Sequence, residues 1–265
     1  MAYVPFRPDD FEKIPFGIRA GIGRMGDRIY STYKFGYNSA ISTAYEDVWS
    51  PGGTLSLLSA ADTMNVSSAS ADDKGTPTAG TGARTIRLVG VDGSYNVITE
   101  DVTLNGQTAV ATTSSFLRVY RAYVLTAGTG GVNAGAITIE DDGGSTTQCS
   151  IPAGYGQSEM AIYTIRAGYY GVITDFSFSS NVKGTDTLSV ELTSVSEGGV
   201  MRVRYSVIAG GVQTVNNEYA ERQAPIVIDP KTDVIVRAIK TGAGADASIS
   251  ASFSVLEIKA EEVNL

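Results

Sequence analysis

Residues 80–135 read GTGARTIRLVGVDGSYNVITEDVTLNGQTAVATTSSFLRVYRAYVLTAGTGGVNAG, and this stretch decides the fold class. Short runs of alternating apolar residues are separated by Gly, Asn and Asp. Ile86 and Leu88 alternate with Thr85, Arg87 and Val89. Val97 and Thr99 lead into Val102 and Leu104. Leu117, Val119, Arg121, Tyr123 and Leu125 fall on one face of a third run. A period of two bounded by turn formers predicts half-buried strands of an antiparallel sheet. Asp92-Gly93 and Asn105-Gly106 mark hairpin turns, because both dipeptides tolerate positive φ. The stretch holds no carboxylate–histidine pair, no reactive-thiol motif and no phosphate loop. It describes a scaffold that packs and pairs.

The same pattern extends over the rest of the chain from Gly53 on. Leu55–Leu58 and Met64–Val66 read as short strands. Further strands follow over 84–91, 97–104, 108–112, 116–126, 136–140 and 146–151. The second half adds 160–165, 171–179, 187–194, 200–208, 212–217, 226–228, 233–240 and 247–258. Residues 67–82, SSASADDKGTPTAGTG, are polar and read as an exposed loop. Ile151-Pro152-Ala153-Gly154-Tyr155 is echoed by Ile165-Arg166-Ala167-Gly168-Tyr169, which predicts two similar turns at strand ends. The expected architecture is all-β: one or two antiparallel β-sandwiches, jelly-roll or Ig-like, with an extended N-terminal arm. The expected division is an arm over 1–52, a β-sandwich over 53–157, and a second sandwich or second half of the same one over 158–265.

Residues 1–52 differ in composition. Pro5, Pro8 and Pro15 interrupt the backbone, and Pro51 closes the segment. Aromatic residues crowd between them without a sustained period. Such a segment needs a surface to lie on. The expected partner interface is Phe6, Arg7, Phe11, Phe16, Arg19, Arg24, Tyr30, Tyr33, Phe35 and Tyr37, with Trp49 at the junction of arm and body.

Charge and composition narrow the function. The chain of 265 residues carries a net charge of −8. Residues 1–34 balance at +2 and the remainder at −10. A weakly basic arm on an acidic body suits docking on an acidic neighbour. Nucleic acid is not an expected partner, since phosphate binding needs a basic face. Histidine is absent, which removes the commonest general base and metal ligand. Cys149 is the only cysteine, so it forms no intramolecular disulfide and no thiolate metal site; it is expected to be a small buried residue. The carboxylate pairs Asp72-Asp73, Glu100-Asp101 and Asp141-Asp142 are expected to be solvated turn residues. No catalytic, metal or cofactor-binding residue is expected, and the chain is not expected to be an enzyme. The N-terminus shows no secretory h-region, and no run approaches a membrane span. The expectation is a soluble protein made in a cytoplasm, with no membrane partner.

Glu46-Asp47-Val48-Trp49 followed by Gly52-Gly53 carries a family resemblance. It continues through Gly80-Thr81-Gly82-Ala83-Arg84-Thr85, Leu104-Asn105-Gly106 and Phe116-Leu117-Arg118-Val119. It ends with Asn133-Ala134-Gly135 and Ala161-Ile162-Tyr163-Thr164. These residues, covering somewhat under half the chain, resemble a family of virion structural proteins of tailed bacteriophages, including cyanophages and other marine phages. The resemblance implies an assembly role: a capsid decoration (cement) protein on the outer surface of the head that bridges major-capsid subunits. Partners would be the major capsid protein and copies of the chain itself, as a homo-oligomer such as a trimer. The alternatives are a tail, neck or baseplate component, or a carbohydrate-binding host-adhesion module.

Overall fold

The computed structural model describes residues 19, 25–144, 146–210, 226–242 and 244–262. In chain order the strands are β1 (Ile29–Ile41), β2 (Glu46–Asp47), β3 (Met64–Ser68), β4 (Ala83–Val91), β5 (Val97–Thr103), β6 (Val110–Ala111), β7 (Arg118–Ala127) and β8 (Ile137–Asp141). They continue as β9 (Thr147–Ile151), β10 (Ile162–Thr164), β11 (Tyr169–Asn181), β12 (Thr187–Ser196), β13 (Met201–Gly210), β14 (Ile226–Ile228), β15 (Thr232–Thr241) and β16 (Ala247–Lys259). The chain is all-β, as its alternation predicts. The expected strand over 212–217 lies outside the described residues. Residues 55–58 form no strand, although the backbone N–H of Leu55 is held by the Asp47 carboxylate at 2.7 Å.

The expected sandwich or jelly-roll is not what forms. The described strands fall into four small sheets set like the blades of a four-bladed propeller. The first runs β1-β16-β11-β14. The second runs β10-β15-β12-β13, with β2 paired to β15. The third runs β6-β3-β8-β9 and the fourth β5-β4-β7. Alternation in sequence shows that one face of a strand is buried. It does not say which strands pair, and β1 pairs with β16 across nearly the whole chain.

Two apolar clusters fill the structure. One gathers Phe176, Phe178, Leu188, Val190, Leu192, Val234, Val236 and Phe253 between the first and second sheets. The other gathers Trp49, Met64, Ile86, Leu88, Phe116, Ile137, Ile151 and Met160 around the third and fourth. Ile162, Val195 and Ile235 of the second sheet point into this second cluster. That sheet is therefore covered on both faces, and β12 and β15 are buried along nearly every residue.

Local chemistry departs from the expected alternation in two places. In β7 the register shifts opposite Val89 and Gly90, so Tyr120 is an extra residue. Val119 and Tyr120 are both buried while Arg121 is exposed. The bulge breaks the single face expected from Leu117 to Leu125. In the hairpin after β4 the left-handed residue is Tyr95, with φ of 63°, and not Gly93.

Asp73 is no solvated turn residue. It is fully buried, and its Oδ1 accepts the N–H groups of Ala83 and Ala134, each at 2.7 Å. Its Oδ2 accepts Ser68 Oγ at 2.6 Å and the Gly135 N–H at 2.8 Å. Residues 69–82 are thereby stitched to 133–135. Asp233 plays the same part elsewhere. It takes the Arg118 guanidinium at 3.0 Å and the Thr164 hydroxyl at 2.7 Å. Arg118 spends its other donors on the Leu58 and Leu117 carbonyls.

Candidate partner-binding face

β1 is an end strand with an inverted pattern. Tyr33, Phe35 and Tyr37 face outward, with Tyr33 61% and Tyr37 38% exposed. Lys34, Gly36 and Asn38 face inward and are buried. The inner residues explain the inversion. Gly36 passes so close to the next layer that a Cβ there would lie 2.2 Å from the Val48 carbonyl oxygen and 2.3 Å from the Ala161 nitrogen. Asn38 donates to the Asp47 carbonyl at 3.0 Å and accepts the Ala40 N–H at 2.9 Å. Lys34 Nζ donates to the Tyr120 carbonyl, with the Tyr120 ring centroid 5.7 Å away. Burial above all, opposed by Cys149 and aided by neighbouring Arg121, pulls the Lys34 ammonium down to about 7.

The outer face continues across the sheet as hydroxyls. Tyr33, Phe35 and Tyr37 stand opposite Ser254, Ser252 and Ser250 of β16. Those serines in turn face Asp175, Ser177 and Ser179 of β11. Ser177 and Ser252 share a hydrogen bond of 2.8 Å. A shallow depression of about 280 Å³ lies between the aromatic row and this serine lane. Tyr33 and Phe35 stack at 6.1 Å between centroids. The face thus presents aromatic area beside small adaptable hydroxyls, a composition typical of protein-binding surfaces.

The other expected interface residues divide. Phe6, Arg7, Phe11, Phe16 and Arg24 lie outside the described residues. Arg19 is half-buried. Tyr30 belongs to the fold: Arg166 stacks over its ring at 4.0 Å, and Tyr169 meets it edge-on at 5.7 Å. Arg166 is held by the fully buried Glu257, which also accepts the Tyr163 hydroxyl at 2.9 Å. Trp49 is buried, and its indole N–H donates to the Gly53 carbonyl at 3.1 Å. Cys149 is buried, its thiol pushed up to about 11 by burial. The inverted strand itself was missed by sequence reasoning. The signal was present in Tyr33-Lys34-Phe35-Gly36-Tyr37-Asn38, a period of two whose apolar set points away from the core.

A second exposed apolar set, Met201, Val203 and Ile208, lies on β13 at the edge of the second sheet. Among the described residues no group of three or more Cys, Asp or Glu could hold a metal ion.

No protein-family model matches the chain, and no curated protein matches it. Among solved structures it is similar to VP2 of infectious bursal disease virus in derived T=1 particles, at 12% identity over 88% of this chain and 70% of that one, with a TM-score of 0.23. The Gx strain of the same virus gives 15% identity over 87% and 71%, with a TM-score of 0.24. Likeness at these TM-scores carries no argument about fold or role, so the functional reading rests on the chain's own residues.

Proposed function

We propose that the chain is a structural protein of a tailed-phage virion, a decoration protein on the outer head surface that bridges major-capsid subunits. The resemblance of its Glu46–Thr164 motifs supports the virion setting. The observation that carries the docking is the outward row Tyr33, Phe35 and Tyr37 on an end strand. Three neighbouring aromatic side chains bury large area at low entropic cost when a partner covers them. Copies of the chain form a closed homo-oligomer such as a trimer, as repeated surface proteins do by default. The charge of −8 keeps such repeated surfaces apart and selects protein over nucleic acid as partner. No helix among the described residues is long and apolar enough to cross a membrane, and the reading needs no membrane partner. No catalytic step is part of this reading.

Quantitative mass spectrometry of purified particles tests the placement. Copy numbers on the order of hundreds are expected for a decoration protein, whereas about six or twelve would place it at a symmetry axis of the tail or neck.

A further inference from the structure

A cleft of about 310 Å³ runs along the open edge of β1. One wall is five consecutive residues, Ser31 to Phe35. The other is Arg121, Gln157 and Ser158. Among the described residues β1 pairs only with β16, and no other backbone hydrogen bond reaches Ser31–Phe35. A strand with one free row of N–H and C=O groups is a template for another strand. Gly36 packs its inner face against Val48 and Ala161, and the lining of the cleft along β1 stops at Phe35.

The cleft is cationic. Lys34 and Arg121 both line it, and no Asp or Glu does. Neither cation has an ion pair among the described residues. Lys34 Nζ spends one of its three donors on the Tyr120 carbonyl, and Arg121 lies over the Tyr123 ring at 4.8 Å. Lys34 at the buried floor of this cleft and exposed Arg121 at its rim have no counter-charge among the described residues, so an anion that enters is drawn by Arg121 and by the protonated form of Lys34.

We infer that this cleft receives an extended acidic segment of a protein partner, which adds a strand to the open edge of β1 and sets an Asp or Glu carboxylate between Lys34 and Arg121. The inference rests on the docking reading above and names the chemistry of the partner. It also couples docking to pH. The groups facing the Lys34 amine are Arg121 and Tyr120 of β7 and Cys149 of β9. Burial raises the Cys149 thiol to about 11 and the Tyr120 phenol well above its usual range. Lys34 is therefore the one of these groups that titrates near neutrality, at about 7. An arriving carboxylate draws a proton onto it, so affinity falls by up to about tenfold for each pH unit above that point.

The test uses the purified full chain and a blocked peptide of alternating Val and Glu, measured by titration calorimetry. The controls are the Val–Lys counterpart and free glutamate. The Val–Glu peptide is expected to bind about tenfold or more tighter than either control, and Lys34→Met and Arg121→Gln are each expected to weaken it about tenfold. Arg121 is exposed, so its variant keeps the fold. Equal binding of the Val–Lys peptide, free glutamate matching the peptide, or unchanged affinity in both variants would overturn the inference. No phage head enters this assay. A chain that binds heads yet ignores the peptide overturns the cleft alone, and peptide binding without head binding supports the cleft and overturns the decoration reading.

Discussion

Strands β1 and β15 are built on opposite rules. β15 lies inside its sheet, is buried along most of its length, and pairs its buried charges: Asp233 near its start is answered by Arg118 and Thr164, and Lys240 near its end by Asp186. β1 lies at an edge, buries a lysine, a glycine and an asparagine, and turns its aromatics to solvent. A strand kept only for stability would be arranged the other way round. The difference separates what the fold needs from what the fold displays, and each half of it can be broken.

The largest effect is expected at β15. Asp233→Ala leaves the Arg118 guanidinium buried without its partner and should cost about 3–5 kcal/mol. Urea denaturation measures this; a loss below about 1 kcal/mol would mean that the ion pair holds nothing together.

Lys34 comes next, with the opposite sign. Its folded value of about 7 lies below the ordinary 10.5, so the charged form weighs against folding. That penalty is complete below pH 7 and fades as pH rises toward 10.5, at roughly 1.4 kcal/mol per unit. Lys34→Met should therefore be most stabilising, relative to the native chain, in mildly acidic solution. Paired melting curves from about pH 6 to about pH 9 check the convergence, and a gap that does not narrow would refute it.

Gly36→Val tests how β1 is seated. Its side chain would meet backbone atoms of Val48 and Ala161, and overpacking of this kind costs about 1–3 kcal/mol. Hydrogen exchange should then show β1 opening before β15. The smallest stability change belongs to Tyr33→Ala with Tyr37→Ala, expected to stay within about 0.5 kcal/mol per site because both rings face solvent.

Much of the strand content was legible in the alternation, including hairpin partners such as β4 and β5, whose turn sits at Asp92–Asn96. The echoed turns also came through: Gly154 and Gly168 both take positive φ, 80° and 77°. Long-range pairing was not legible. Nothing local in Ile29–Ile41 says that it pairs with Ala247–Lys259. The number of sheets depends on such pairings, so alternation alone led to a sandwich where four small sheets form. Tyr120 shows a second limit, since one bulged residue exchanges the faces of β7. Asp73 shows a third, because its four donors come from three separate places in the chain and leave no pattern around it. At the candidate face, Tyr33, Phe35 and Tyr37 were visible as interface material. Lys34 was not, since a lysine between aromatics reads as surface until Tyr120 and Cys149 close over it.

The central claim is that the outward face of β1 docks on the head. Its most direct measurement is the occupancy of purified expanded heads by a Tyr33→Ser, Phe35→Ser, Tyr37→Ser triple variant, compared with the native chain by quantitative mass spectrometry. Affinity at least about tenfold weaker, with a melting temperature within a few degrees of the native chain, is the predicted result. Undiminished occupancy by a folded triple variant would contradict it.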